Sequence, residues 1–266
     1  MRVMHWMGVA MAAFAFGGCA SVETAPSPEV RQALAPSGKL RVAFLAGPLY
    51  ATKNPATGEL TGVAVDLGNE LARRAGVPFQ PVVYASPAAI VAGAKRGEWD
   101  VALMGINAER AAAMDFSAPY MEVEQGYLVR AGAAIESASD VDKAGIRVGV
   151  LEKAGADALL SGTLKNATLV RVTTLGELYA AFDAGKADVI AATKTGFFTE
   201  AQKRPGTRIL DGRILVEPVG MGVPKGRSSA ASQYVGKFAA DAKAQGLVKA
   251  AIERAGLRGV AVAPPK

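Results

Sequence analysis

Short apolar runs rich in β-branched residues alternate along most of the chain with stretches of helical spacing. Residues 40–45 (LRVAFL) and 146–151 (IRVGVL) are two such runs, typical of buried parallel strands. Residues 175–182 predict a helix, because their apolar side chains recur at i, i+3, i+4 and i+7. These side chains are Leu175, Leu178, Tyr179 and Phe182. Strands alternating with helices predict an α/β fold with parallel sheets and crossover helices.

A second repeat links the two halves of the chain. Residues 97–105 (GEWDVALMG) and 185–193 (GKADVIAAT) share one order: a glycine that ends a helix, a two-residue turn, an aspartate and a short apolar strand. Two copies of one plan predict two α/β lobes.

The chain is expected to cross between these lobes twice, as strands over residues 125–130 and 218–224. Two crossings form a hinge about which rigid lobes close. We expect the first lobe to comprise residues 39–127 and 219–266, with the last helical stretch packed back on it. The second lobe is then formed by residues 128–218.

In open parallel sheets, ligands bind beyond the carboxyl ends of the strands. The two repeats place four loops at such ends, and the loops line one cleft if the lobes face each other. They are residues 46–50, 105–110, 152–156 and 193–195.

The first eighteen residues carry the pattern of an export signal. Arg2 and His5 lie in a short polar start, and an apolar stretch follows over residues 7–16. A helix that spans a bilayer needs about 20 apolar residues, so this stretch predicts a cleaved signal peptide over residues 1–18 rather than a membrane anchor.

The residues around Cys19 resemble the lipobox of bacterial lipoproteins, whose cysteine becomes a lipidated N-terminus. Two glycines precede Cys19, although Phe16 stands where a lipobox usually has Leu. The resemblance implies lipidation of Cys19, and Ala20 after it implies sorting to the outer membrane in a host with two membranes. The alternative is an ordinary signal with a chance cysteine. Residues 19–38, rich in proline, are expected to form a flexible tether.

Composition narrows the chemistry of the folded body. The 266 residues contain one histidine and one cysteine, His5 and Cys19, and both lie at the N-terminus. Ser-His-Asp and Cys-His sites and histidine-ligated zinc are therefore excluded, and we expect a binding protein without metal or cofactor. The net charge is +6, but Lys and Arg are scattered without a run of five, so nucleic acid is not an expected partner.

Five motifs occur in order between residues 39 and 256. They are GELTGVAVDL at 58–67, WDVA at 99–102, ER at 109–110, MDFSAPY at 114–120 and VPKG at 223–226. Together they resemble the extracellular solute-binding proteins of family 3, the periplasmic or lipid-anchored receptors of polar amino-acid ABC transporters. The resemblance implies a two-lobed type II periplasmic-binding fold with two parallel-core sheets. It also implies a monomer that traps a small solute and delivers it to an inner-membrane permease.

The resemblance assigns Arg110 to the family's arginine that forks onto the ligand carboxylate, a geometry suited to guanidinium. The alternative is an arginine that pairs with Glu109 or Asp115. The family usually has Gly-x-Thr/Ser-x-Thr-x-x-Arg at this place. The corresponding segment here, GINAER, is about two residues shorter and lacks both hydroxyls. Gly105 and Asn107 are therefore the candidate donors.

In the second lobe the family commonly has Gly-Thr/Ser-Thr at a helix start. This chain has KAGA, which leaves the backbone amides of Gly155 and Ala156 as candidate contacts. The family's ammonium-binding aspartate falls on Thr193, and losing that carboxylate removes a contact worth about 1.5–3 kcal/mol. Lys194 favours a second anionic group on the ligand, or is a solvated lysine that begins a helix.

Tyr50 and Glu122 complete the candidate site. Tyr50 lies near the family's aromatic wall, although a role in the core explains it equally well. Glu122 and Glu124 alternate on one side of the segment entering the hinge, so that either could replace the missing aspartate. The alternative is a pair of solvated strand charges.

These residues favour the substrate-binding component of an ABC importer, a periplasmic lipoprotein for a small, carboxylate-bearing, amino-acid-like solute. One alternative is an enzyme on the same fold, such as a cyclohexadienyl-dehydratase-like lyase, which needs a cleft acid from Glu122, Glu124 or Glu152. Another is a sensor or accessory lipoprotein without a transporter.

Overall fold

The computed structural model describes residues 25–265. The expected signal peptide and Cys19 lie outside the described residues. No helix within this range has the length and apolar character needed to cross a membrane.

A short helix, α1 (Pro28–Leu34), lies within the segment expected to be a flexible tether. Ser27 caps it by accepting the N–H of Val30, and Pro28 occupies the first turn, where a missing N–H costs nothing. Leu34 is buried in the core of the first lobe. The tether expected over residues 19–38 is therefore not flexible throughout. Its proline content suggested a flexible segment, but Ser-Pro here marks a helix start.

The first lobe is built around three parallel strands. Its elements are β1 (Leu40–Leu45), β2 (Thr52–Lys53), β3 (Leu60–Thr61), α2 (Val63–Ala75), β4 (Phe79–Tyr84), α3 (Pro87–Arg96), β5 (Val101–Gly105), α4 (Ala108–Ala113) and β6 (Met114–Phe116). β1 lies between β4 and β5 and runs parallel to both. β2 and β3 form a separate antiparallel pair.

A ten-residue strand, β7 (Met121–Arg130), carries the chain into the second lobe. The elements that follow are a 3₁₀ helix at Ala138–Asp140, β8 (Arg147–Leu151), α5 (Gly155–Thr163), β9 (Thr168–Val172), α6 (Leu175–Asp183), β10 (Val189–Thr193), α7 (Lys194–Ala201) and β11 (Thr207–Ile209). β8 runs parallel to β9 and β10. The helix predicted from the spacing of residues 175–182 is confirmed as α6.

The chain returns to the first lobe along β12 (Leu215–Pro224). It ends in α8 (Ser229–Ala244), α9 (Leu247–Arg254) and β13 (Val260–Val262). β7 and β12 pair antiparallel, from Met121 opposite Val219 to Gln125 opposite Leu215. We call these two paired strands the crossing ribbon.

The crossing ribbon joins the two parallel cores into one hydrogen-bonded path. β12 pairs with β5 and β7 pairs with β10, so the strand order is β4-β1-β5-β12-β7-β10-β8-β9. The predicted type II architecture, with two parallel cores and two crossings, is confirmed. The two sheets are, however, continuous through the ribbon.

Buried side chains form cores in both lobes. Val235, Phe238 and Val248 of α8 and α9 pack in the core of the first lobe, as expected for the last helical stretch. In the second lobe, one cluster includes Val148 and another includes Phe182. Burial of each large apolar side chain stabilises the fold by about 1.5–3 kcal/mol.

Each lobe contains an Arg–Asp pair at the same place in the repeat. Nη2 of Arg41, on β1, lies 2.8 Å from Oδ1 of Asp100, just before β5. Nη2 of Arg147, on β8, lies 2.6 Å from Oδ1 of Asp188, just before β10. In both pairs the arginine backbone N–H donates to Oδ2 of the aspartate. The repeated sequence thus joins the beginnings of neighbouring parallel strands in the same way twice.

Candidate ligand-binding site

A cavity of about 430 Å³ lies where the two lobes meet the crossing ribbon, a suitable size for a small organic ligand. Its wall is mostly apolar, with contributions from both lobes: Leu45, Pro48, Leu49, Ile90, Met104, Leu151, Leu175 and Ala191. The polar and charged side chains that line it are Tyr50, Arg110, Gln125, Tyr179, Thr193, Glu200, Arg204 and Glu217.

Arg110 reaches this cavity from α4 and is buried. Asn107 caps α4, since its Oδ1 accepts the backbone N–H of Arg110 at 2.9 Å. Nη1 of Arg110 donates to the carbonyl of Gly105 at 2.8 Å, and Nη2 donates to the carbonyl of Lys153 at 2.9 Å. Asn107 therefore positions the arginine and is not among the residues that line the cavity.

Glu217 forms an ion pair with Arg110 inside the cavity. Its Oε1 lies 3.1 Å from Nη1 of Arg110, and the two side chains are only 9% and 6% exposed. Neither Glu109 nor Asp115, the expected alternative partners, forms this pair; Glu109 pairs with Lys153 and Asp115 with Lys225.

The register of the crossing ribbon brings Glu217 next to Gln125. Glu217 lies opposite Val123, and Gln125 is two residues further along β7, so the two side chains are diagonal neighbours on one face. Nε2 of Gln125 donates to Oε2 of Glu217. Both carboxylate oxygens of Glu217 thus have a partner, and each keeps a lone pair for another donor.

Two glycines allow this close packing. A Cβ on Gly105, at the end of β5, would lie 2.1 Å from Oε1 of Glu217. A Cβ on Gly155, at the start of α5, would lie 2.8 Å from Nε2 of Gln125. Each lobe therefore contributes a glycine whose backbone is approached closely, Gly105 by the Glu217 carboxylate and Gly155 by the Gln125 amide.

One nitrogen of the Arg110 guanidinium has no partner within the described part of the chain. Its Nε is buried and has no hydrogen-bond partner among residues 25–265. A buried donor left unsatisfied costs about 1–3 kcal/mol, and more on a charged group.

Tyr50 is buried within the first-lobe core and also lines the cavity. Burial raises the pKa of its hydroxyl well above the ordinary value, and the negative charge of Glu217 raises it further, while Arg110 opposes the shift. The hydroxyl is therefore neutral at physiological pH.

Lys153 connects the second lobe to Arg110 through a backbone conformation that is rare for a lysine. Its φ is 60°, the only positive φ of a non-glycine residue among residues 25–265. The carboxylate of Asp157 accepts its backbone N–H at 2.9 Å and helps to hold this loop. Its Nζ lies 3.3 Å from Oε1 of Glu109, so both its carbonyl and its side chain contact the first lobe.

The second lobe contributes an aromatic and charged cluster to the cavity wall. The Arg204 guanidinium carbon lies 4.5 Å from the centre of the Tyr179 ring. Arg204 also pairs with Asp183 and Glu200. Burial alone would raise the pKa of Glu200, but hydrogen bonds from Lys203 and Arg204 outweigh it, and that pKa lies below its ordinary value. Glu200 is therefore ionised.

Thr193 lines the cavity, but Lys194 does not. Thr193 caps α7 by accepting the N–H of Gly196 at 3.4 Å. Nζ of Lys194 donates to the carbonyl of Gly212 and lies 3.6 Å from Oε2 of Glu124. Lys194 is therefore outside the cavity lining in this arrangement, because its side chain lies along the crossing ribbon. Its contact with a ligand stays a prediction.

Glu122, Gly155 and Ala156 are predicted residues that do not line the cavity. Glu122 is on β7, opposite Pro218 and Ala261. Gly155 packs against Gln125, and Ala156 is buried in the second-lobe core. The replacement of the missing aspartate by Glu122 stays a prediction, and Glu122 is not among the lining residues.

Sequence reasoning missed Glu217 and the cluster around Arg204. Glu217 lies one residue before the return segment that the pattern predicts, within the run ILVEPVGMGV. A carboxylate between apolar residues of a crossing strand was the available signal, because an acidic residue is rarely buried without a partner. Arg204 follows α7 and carries no comparable pattern.

Residues 40–254 match the family model of bacterial extracellular solute-binding proteins, family 3. The chain belongs to this family. The ABC transporter glutamine-binding protein GlnH of Bacillus subtilis is 24% identical to this chain over 192 residues. The aligned residues cover 70% of this chain and 69% of the relative.

Solved structures of other proteins share the fold of this chain. The solute receptor for L-cysteine of Neisseria gonorrhoeae aligns with a TM-score of 0.76 at 22% identity, covering 85% of this chain and 92% of the other. The ancestral amino-acid-binding protein AncCDT-1, a precursor of cyclohexadienyl dehydratase, aligns with a TM-score of 0.72 at 24% identity, covering 84% and 98%.

Proposed function

We propose that the protein is the substrate-binding component of an ABC importer. It holds a small, amino-acid-like solute by its carboxylate in the cavity between the lobes. Membership of the solute-binding family and the relationship to an ABC transporter glutamine-binding protein support this role.

The observation that carries the proposal is the unpartnered Nε of Arg110. Arg110 lines the cavity, and its buried Nε lacks a partner among the described residues. A ligand carboxylate accepts two parallel N–H bonds from the Nε and Nη2 side of a guanidinium. The apolar wall then takes the body of the solute.

Arg110→Lys and Arg110→Ala test this contact by calorimetry with the twenty standard L-amino acids. Arg110→Lys keeps the charge but loses the two parallel N–H donors of the guanidinium. We therefore expect at least a tenfold loss of affinity, and a larger loss for Arg110→Ala. Arg213→Ala, an exposed arginine outside the cavity, is the control and should bind as the wild type does. Unchanged affinity in both Arg110 variants would contradict the proposal.

We infer a binding protein rather than an enzyme. The acids considered for catalysis, Glu122, Glu124 and Glu152, are not among the residues that line the cavity. The acids that do line it, Glu200 and Glu217, are held in ion pairs with Arg204 and Arg110. Purified protein should therefore leave prephenate and arogenate unchanged while it still binds a solute. Turnover of either compound would favour the lyase alternative.

We also propose a periplasmic monomer whose Cys19 carries a lipid, with the outer membrane as its site in a host with two membranes. Cys19→Ser should abolish incorporation of a labelled fatty acid and release the protein from the membrane fraction. Solute uptake that depends on a neighbouring permease and ATPase would support the transporter over a sensor or accessory role.

A further inference from the structure

The positive charge of Arg110 is already balanced inside the cavity. Glu217 contacts it at 3.1 Å, and both side chains line the cavity. A ligand that brings only a carboxylate to Arg110 also brings that charge close to Glu217. Two like charges at such a distance repel each other in a partly desolvated site.

Glu217 is the carboxylate available to a ligand bound at Arg110. Among the described residues that line the cavity, Glu200 and Glu217 carry carboxylates. Glu200 is engaged by Lys203 and Arg204. Thr193 carries no charge and caps α7.

We propose that Glu217 receives the ammonium group of the solute and that it makes the site select α-amino acids over simple carboxylates. The inference rests on the proposed function and names its substrate class. In an α-amino acid the ammonium and carboxylate groups are bonded to one carbon, so their partners must lie close together. Arg110 and Glu217 satisfy this requirement, because they contact each other.

The lone pairs of Glu217 permit this contact without loss of its present partners. Each carboxylate oxygen accepts about two hydrogen bonds. Oε1 accepts one from Arg110 and Oε2 accepts one from Gln125. An ammonium group can therefore bind while the ribbon contact to Gln125 persists.

The test compares α-amino acids with analogues that lack the amine. The pairs are L-phenylalanine with 3-phenylpropanoate, L-leucine with 4-methylpentanoate, and L-glutamine with glutaramate. The wild type should bind the amino acid of a pair at least tenfold more tightly than its analogue. The reverse order in the wild type would overturn the inference without any variant.

Glu217→Gln removes the charge and keeps the shape. It should weaken amino-acid binding at least tenfold and strengthen binding of the deamino analogue, so that the preference falls more than tenfold. Glu124→Gln is the matched control, because Glu124 lies on the same ribbon outside the cavity lining; it should leave the preference unchanged.

Other outcomes separate this inference from the proposed function. If Glu217→Gln tightens binding of both members of a pair, Glu217 is an internal competitor for Arg110 and the inference fails. If amino-acid binding depends on Arg110 but Glu217→Gln leaves the preference for the amino acid over its deamino analogue unchanged, the inference alone fails and the proposed function stands. If the folded wild type binds no L-amino acid or analogue, the proposed function fails with it.

Discussion

The Arg–Asp pair of the first lobe is buried, whereas its counterpart in the second lobe is partly open to solvent. The Asp100 side chain is 1% exposed, and the Asp188 side chain is 31% exposed. Asp100 also accepts a hydrogen bond from Arg227, which follows the return strand β12. The two pairs have similar geometry, so the difference arises from the chain that covers one of them.

The residue before each aspartate is buried in both lobes but differs in size. Trp99 is fully buried and its Nε1 donates to the carbonyl of Ile90 at 2.9 Å. Ala187 occupies the corresponding place in the second lobe and is also buried. A repeated sequence therefore sets local geometry, while the surroundings decide how much each copy contributes to stability.

Trp99→Ala should produce the largest effect, because it makes the first lobe like the second at this position and leaves a cavity. We expect a loss of about 3–5 kcal/mol in the free energy of unfolding, measured by urea denaturation. Ala187→Ser is a small change at the corresponding site and should cost less. A loss below about 1 kcal/mol for Trp99→Ala would contradict the comparison.

Asp100→Asn should cost about 3 kcal/mol, since it removes the carboxylate shared by Arg41 and Arg227 in a buried setting. The same urea experiment measures this loss. Double variants with Arg227→Ala should show that the second arginine accounts for part of it. Strict additivity of the two substitutions would mean that Arg227 does not contribute through Asp100.

Asp188→Asn should cost no more than about 1 kcal/mol, because its pair with Arg147 is accessible to water and salt. Raising the salt concentration should reduce the effect of Asp188→Asn more than that of Asp100→Asn. Equal losses for the two variants would contradict the view that burial separates the two pairs.

The smallest effect is a dependence of stability on pH. The hydrogen bond from Arg147 holds the pKa of Asp188 below its ordinary value, although burial opposes the shift. The stabilisation is therefore fully present above the unfolded pKa of about 3.9 and is lost as the pH falls below it. Between pH 5 and 2 the free energy of unfolding should fall more for the wild type than for Asp188→Asn. Parallel curves would refute this assignment.

The parallel cores could be predicted because their signals are local. Strands and the helix α6 are encoded by runs and spacings that bury one face, and both aspartates follow the same glycine-turn pattern. Helix α1 was missed because its burial depends on a distant surface, which Leu34 reaches only in the folded lobe.

The candidate site could be predicted only in part. Arg110 follows a motif and lies in the cavity, but its partner Glu217 is 107 residues away along the chain. Their contact depends on the register of the crossing ribbon and on two glycines that leave space for the carboxylate. Lys194 shows the converse, since its side chain lies against the ribbon although its neighbour Thr193 lines the cavity.

The position of Glu217 on the crossing ribbon has a mechanical consequence. In a hinge motion, displacement grows with distance from the axis, so groups on the ribbon move least. Opening would draw the Lys153 carbonyl away from Arg110, whereas Glu217 stays near Gly105, since β12 and β5 pair at Val219 and Gly105. A solute arriving at the open cleft would thus meet the Arg110–Glu217 pair already assembled, and lobe closure would add walls around it.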